Sequence, residues 1–188
     1  EFSKALNAPL DVLIVRKIGA PFNAELAVGA ICENDEPIYN AQVLSKVGLE
    51  PDDMNGIIKA EKKEVQRQID VFRQGKALSD ISKKTAIIVD DGLATGATVK
   101  AAIKYLKKKG AFKIVVAVPV APTSSERAIR DKVDEFVVLE EREDLYSVGQ
   151  WYKDFSQVSD KEVIDLLKMA TQQKAIVHSQ SVEIKISK

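Results

Sequence analysis

Short apolar runs alternate with amphipathic stretches along most of the chain. Residues 10–18 (LDVLIVRKI) and 112–118 (FKIVVAV) are apolar enough to be strands buried on both faces. Residues 86–89 (AIIV) and 134–139 (DEFVVL) add two more strands. Between them, Ile58, Val65, Ile69 and Phe72 form the apolar stripe of a long helix that opens at Pro51 and closes at Gly75. A second helix carries Val99, Ala102, Ile103 and Leu106 on one face and Lys100, Lys104, Lys107 and Lys108 on a solvated face, with Gly110 as its stop. Thr123 or Ser124 is placed to cap a short helix through Lys132, and Ser159 with Glu162 makes a capping box for a last helix through Gln172. Phe2 and Leu6 read as the tail of a helix ended by Pro9. Residues 25–32 and 37–43 read as a hairpin about an acidic turn at 33–36, although 24–30 also fits a helical turn. Strands alternating with helices at this spacing predict an α/β fold with a mainly parallel sheet flanked by helices.

The totals narrow the class. A chain of 188 residues suits one α/β domain with a sizeable core. Lys plus Arg and Asp plus Glu both count 28, which argues against a dedicated nucleic-acid binder. The single cysteine, Cys32, excludes an internal disulfide framework and suits a reducing, cytoplasmic setting; it reads as a small core residue. No apolar run reaches membrane-spanning length, and nothing resembles a signal peptide. The chain opens on Glu1 rather than Met, which reads as a trimmed or processed start. His178 stands alone in the tail and is no evidence of a metal site.

The richest chemistry lies in residues 85–110, TAIIVDDGLATGATVKAAIKYLKKKG. An apolar strand ends in two carboxylates, Asp90 and Asp91, and a loop of small residues opens the helix. Ligands of open α/β sheets sit beyond the carboxyl ends of the strands. A helix N-terminus offers unpaired N–H groups and partial positive charge to a phosphate. Gly96 permits close backbone approach, and Thr95 and Thr98 add hydroxyls. Adjacent carboxylates can accept hydrogen bonds from a sugar diol or hold Mg²⁺ directly or through water. The stretch therefore predicts a ligand carrying both a phosphate and a polyol. An acidic pair after a strand also occurs in P-loop ATPases, but no G-x-x-x-x-G-K-[ST] is present.

The segment IIVDDGLATGAT resembles the phosphoribosyl-pyrophosphate (PRPP) motif of type I phosphoribosyltransferases. Together with LDVLIVRKIGAPFNAELAVGA, VVAVPVAPTSS and VGQWYKDFSQVSDKEV, it is similar to a bacterial and archaeal branch of predicted phosphoribosyltransferases. The resemblance implies a phosphoribosyltransferase fold with a β-hairpin or mobile-loop insertion and a small hood, spanning residues 1–174. It also implies Mg²⁺-dependent transfer of 5-phosphoribosyl from PRPP to a nitrogenous, base-like acceptor. Asp90 and Asp91 would bind the ribose hydroxyls, with Mg²⁺ mainly on substrate oxygens. Gly92, Ala94, Thr95, Gly96, Ala97 and Thr98 would hold PRPP, the last five around its 5-phosphate. Arg16 and Lys17 stand where related enzymes begin a mobile catalytic loop, and Trp151 and Tyr152 are the candidates for stacking on the base. Phe155 is the member of that aromatic cluster, which also includes Tyr146, most suited to the core.

Two departures accompany the resemblance. Related enzymes carry a strand and a Pro-Arg-Gly-Gly-like pyrophosphate loop ahead of the helix that begins here, and this chain has no equivalent, so its N-terminal strand is expected to be absent. Purine-salvage enzymes place a lysine where this chain has Val118-Pro119-Val120-Ala121-Pro122. Residues 175–188, with alternating Val182, Ile184 and Ile186, fit either an edge strand or the first strand of a fused hydrolase-like domain. A homodimer remains open. The competing functions are a non-catalytic PRPP or nucleotide sensor and, against the balanced charge, an RNA-binding attenuation regulator of the same fold.

Overall fold

A computed structural model describes residues 1–33, 35–145, 147–173 and 181–187. Tyr146 and His178 therefore lie outside the described residues, as does the segment joining the last helix to the last strand. Helix α1 (Phe2–Leu6) leads into β1 (Leu10–Ala20), which turns back as β2 (Asn23–Cys32) and a two-residue β3 (Ile38–Tyr39). Helix α2 (Ala41–Val47) and a 3-10 turn (Pro51–Met54) precede the long α3 (Asn55–Arg73). Then β4 (Thr85–Val89), α4 (Ala97–Lys108), β5 (Lys113–Ala121), α5 (Thr123–Arg130) and β6 (Glu135–Glu141) alternate. A second 3-10 turn (Val148–Trp151), α6 (Asp160–Gln173) and β7 (Ser181–Ser187) follow.

The strands form one sheet in the order β3-β2-β1-β7-β4-β5-β6. Pairing is parallel from β1 through β6, while β2 and β3 add antiparallel strands at one side. The sheet is thus mainly parallel, as the alternation of elements predicts. Strand β1 feeds both faces, because successive side chains point to opposite sides. Leu13 and Val15 join a core with Ala86, Ile88, Ile114 and Val116 under the Val99–Ala102–Ile103–Leu106 stripe of α4. Val12, Ile14 and Ile18 join a second core with Val65 and Phe72 of α3. Each such side chain, fully buried, contributes roughly 1.5–3 kcal/mol.

Several local expectations change. Residues 37–43 do not form a full strand: β3 stops at Tyr39, and the Asn40 side chain accepts the Val43 N–H at 3.3 Å, starting α2. Neither Thr123 nor Ser124 caps α5, whose N-cap is Pro122. The capping box of α6 is present, with the Ser159 N–H donating to Glu162 at 2.8 Å and the Glu162 N–H donating to Ser159 at 3.3 Å. The insertion after Arg16 and Lys17 is a two-stranded ribbon that turns at Pro21 and Phe22; β1 runs on to Ala20, so both cations stand within the strand. The tail strand β7 is not at an edge. It pairs with β1 on one side (Ile14 opposite Ser187) and β4 on the other (Val89 opposite Lys185). Cys32 is buried, and burial followed by Glu33 and Asp35 pushes its thiol well above the usual range, as suits a packing residue.

A buried ionic cluster ties α3 to β1. The Arg73 guanidinium donates to the Val12 carbonyl at 2.8 Å and is paired with the Glu33 carboxylate. Asp11 lies 3.7 Å from the same guanidinium and accepts the N–H groups of Val12 and Ser79, each at 2.8 Å. The Tyr105 hydroxyl of α4 donates to Glu33 at 3.3 Å, and burial first, then Glu33, raise its pKa. Removing the one cation strands two buried carboxylates, which is far costlier than the pair is worth intact. Arg73→Met is expected to lower unfolding stability by about 3–5 kcal/mol, read as a shift of the urea midpoint at unchanged slope; a shift worth less than about 1 kcal/mol would show that water reaches the cluster.

Candidate functional site

The carboxyl end of β4 delivers Asp90 and Asp91, the first buried and the second half-buried. The Asp91 N–H donates to Asp90 Oδ1 at 3.1 Å. The loop that follows is pinned at successive points. The Leu93 N–H donates to the Val120 carbonyl of β5 at 2.9 Å, and the Leu93 side chain is buried. The Ser125 hydroxyl of α5 donates to the Ala94 carbonyl. The Thr95 hydroxyl accepts the Ala97 N–H at 3.4 Å. Gly96 is the N-cap of α4 at φ +68°, the left-handed region that glycine enters without a Cβ penalty. Its carbonyl accepts the Lys100 N–H at 2.9 Å, starting the helix. The first-turn N–H groups of α4 consequently face the loop with no carbonyl of their own helix to meet.

This loop forms one wall of a cleft of about 670 Å³. The facing wall comes from Arg16, Lys17 and Glu25 of the β1–β2 ribbon and from Ile57 and Glu61 of α3. Arg16 and Lys17 therefore share one cavity with Gly92, Ala94, Thr95, Gly96, Ala97 and Thr98. Asp90 and Asp91 immediately precede that loop. Each cleft cation has a carboxylate partner: Arg16 Nε lies 2.8 Å from Glu61, and Lys17 Nζ lies 3.3 Å from Glu25. Lys100, read from its position as a solvated residue, is half-buried, and desolvation followed by Lys132 lowers its ammonium pKa. Among the described residues no group of three His, Cys, Asp or Glu side chains is arranged to hold a metal ion. No helix among them is long and apolar enough to cross a membrane.

The hood closes over the strand end. The Tyr152 hydroxyl donates to the Asp91 carbonyl at 2.7 Å, and its ring meets Phe155 with centroids 5.1 Å apart. The Trp151 ring lies under the Arg142 guanidinium, 4.7 Å from its centroid. Phe155, suited by sequence to the core, is 47% exposed, against 40% for Trp151 and 37% for Tyr152. It packs instead on Gly149, where no Cβ intervenes. Glu61, Ile57, Ser125 and the Tyr152–Asp91 tether are parts of the site that the sequence did not flag. Ile57 and Glu61, one helical turn apart, mark a common face, but nothing local tells which surface that face meets.

Gly92 joins the loop to the hood. A Cβ there would stand 2.8 Å from Val148 Cγ1 and 3.0 Å from Val120 Cγ1, both on stiff β-branched side chains. Val148 shares its 3-10 turn with Trp151, the chain's one tryptophan. Gly92→Ala is expected to cost about 1–3 kcal/mol by overpacking and to shift the tryptophan emission maximum. Unchanged emission would show that the hood does not bear on the loop.

The sequence profile described as "Phosphoribosyl transferase domain" matches residues 6–151. The chain is 41% identical over 170 residues to "Putative phosphoribosyl transferase Rv0571c" of Mycobacterium tuberculosis, covering 90% of this chain and 38% of that protein. It thus spans about two-fifths of that relative's length. Shorter similarities reach a uracil phosphoribosyltransferase of Lactobacillus gasseri (38% identity over 85 residues, 44% of this chain and 40% of that protein) and a ribose-phosphate pyrophosphokinase of Parasynechococcus marenigrum (35% over 65 residues, 33% and 20%). Among solved structures, TT1426 from Thermus thermophilus superposes with a TM-score of 0.70 at 30% identity, covering 88% of this chain and 78% of that one. A strand ending in paired carboxylates, a loop that opens a helix on glycine and a profile match over most of the chain agree: the chain belongs to the phosphoribosyl transferase domain family.

Proposed function

We propose that this chain binds PRPP in the cleft between the β1–β2 ribbon and the 92–98 loop and transfers its 5-phosphoribosyl group to a nitrogenous, base-like acceptor, releasing pyrophosphate. The observation that carries the reading is that the helix-opening loop 92–98, which directly follows Asp90 and Asp91 at the carboxyl end of β4, lines one cleft with the cations Arg16 and Lys17. Relatives named uracil phosphoribosyltransferase and ribose-phosphate pyrophosphokinase share one chemical part, a ribose phosphate, and this arrangement suits that part.

Each residue then has a task. The N–H groups at the start of α4 and the hydroxyls of Thr95 and Thr98 receive the 5-phosphate. Asp90 and Asp91 accept hydrogen bonds from the ribose diol. Breaking the anomeric C–O bond builds positive charge on the ribose ring and negative charge on the leaving pyrophosphate, as in glycoside cleavage. Carboxylates beside the ring and Arg16 and Lys17 beside the leaving group stabilise that separation. An acceptor N–H gives up its proton as it bonds to the anomeric carbon, and one acid of the pair can take it. Trp151 and Tyr152 offer exposed rings to the acceptor's face.

Two carboxylates are too few for a protein cage, but they fit Mg²⁺ held mainly by substrate oxygens, with Asp90 and Asp91 as its protein partners. Bound there, Mg²⁺ would supply charge neutralisation at the pyrophosphate. Catalysis, as distinct from sensing, is tested by titrating Mg²⁺-PRPP calorimetrically and then assaying pyrophosphate release over a panel of bases. Binding and turnover are expected; binding without turnover would favour the sensor, and no binding would overturn both. Asp90→Asn combined with Asp91→Asn is expected to weaken PRPP binding by about tenfold or more, as loss of charged hydrogen bonds requires. Its circular dichroism should match wild type, whereas unfolding would assign the pair a structural role.

A further inference from the structure

The Arg16–Glu61 contact differs from the other ion pair in the cleft. The Lys17 and Glu25 side chains are 42% and 91% exposed, so their pair is an ordinary solvated one worth little. Arg16 and Glu61 are 30% and 21% exposed, and they join a strand to a helix 45 residues away in sequence. The contact uses Arg16 Nε alone. A guanidinium carries five N–H donors in a rigid planar fork, so fixing Nε fixes where the two Nη groups point. Both residues line the cleft opposite the 92–98 loop. Glu61 sits one turn after Ile57, which lines the same cleft, so the carboxylate comes from a helix anchored by its buried Val65 and Phe72.

We propose that Glu61 is a positioning residue for the phosphoribosyl reaction: it holds Arg16 by Nε and leaves the outer edge of the fork for the oxygens of the departing pyrophosphate. The inference rests on the reading of the cleft as a phosphoribosyl site. A carboxylate at the wall of an anion pocket would otherwise repel the ligand. Its effect is opposite when it orders a bidentate donor in advance, because an arginine with several free torsions must be immobilised on binding.

The test is a double-mutant cycle of Glu61→Gln, Arg16→Met and the pair, in the full chain. Each protein is titrated with inorganic pyrophosphate in Mg²⁺ buffer, and kcat and KM for PRPP are measured on whichever base turns over. Glu61→Gln is expected to lower pyrophosphate affinity and kcat about fivefold to tenfold in the wild-type background and by less than twofold beside Arg16→Met. Glu61→Asp, which keeps the charge but shortens the reach, should fall between. Equal losses in both backgrounds would make Glu61 merely structural and overturn the proposal, as would no loss in either. Pyrophosphate coupling without transfer to any base would keep Glu61 as the residue that positions Arg16 for pyrophosphate and overturn the catalytic reading. Failure of the wild-type protein to bind pyrophosphate would overturn both.

Discussion

The loop after β4 is clamped from three directions, and the site depends on that clamp. Its first glycine sits between Val120 of β5 and Val148 of the hood, with no room for a side chain. Its Ala94 carbonyl is held by Ser125 of α5, and the Leu93 side chain is buried. Its last glycine adopts a left-handed conformation, against Ile129, and hands the chain to α4. A loop with so many small residues would lose much conformational entropy on binding if it were free; here folding has already ordered it. The tether from Tyr152 to the Asp91 carbonyl extends the same clamp to the hood. The hood aromatics and the Asp90–Asp91 pair are therefore parts of one supported edge.

Charge is distributed by a different rule at each end of β1. Near its start, Asp11, Glu33, Arg73 and Tyr105 are buried and satisfy one another, tying α3 and α4 to the sheet. Near its end, Arg16 and Lys17 face a cleft, each beside one carboxylate. The buried cluster is costly to break because its members are largely shielded from water and satisfy one another. The Lys17–Glu25 pair is largely in water, so an incoming polyanion can compete for Lys17, whereas the Arg16–Glu61 pair is the more shielded of the two. One strand thus carries a buried network near its start and, further along, two cations that line a cleft.

The strand-to-helix passage at residues 85–110 was legible because every signal in it is local. An apolar run, an acidic stop, glycine at the turn and a 3.6-residue stripe act within a few residues of each other, and the observed β4, loop and α4 follow them closely. The capping box at Ser159 and Glu162 was legible for the same reason. Residues 37–43 were misread because their alternation is strand-like, whereas the Asn40 cap favours a helix. Phe155 was misread because aromaticity predicts burial somewhere but names no partner; its ring lies over Gly149 at the surface.

The sequence by itself determined the alternation of strands and helices, the acidic end of β4, the glycine that opens α4 and the family those features indicate. Each follows from backbone preference or side-chain spacing over a single element. Only the tertiary structure decided that β7 enters between β1 and β4, that Glu61 of α3 reaches Arg16, and that Ser125 and Tyr152 hold the loop. Those contacts join residues tens of positions apart. Their formation depends on which faces the sheet brings together, and that is a property of packing the whole chain at once.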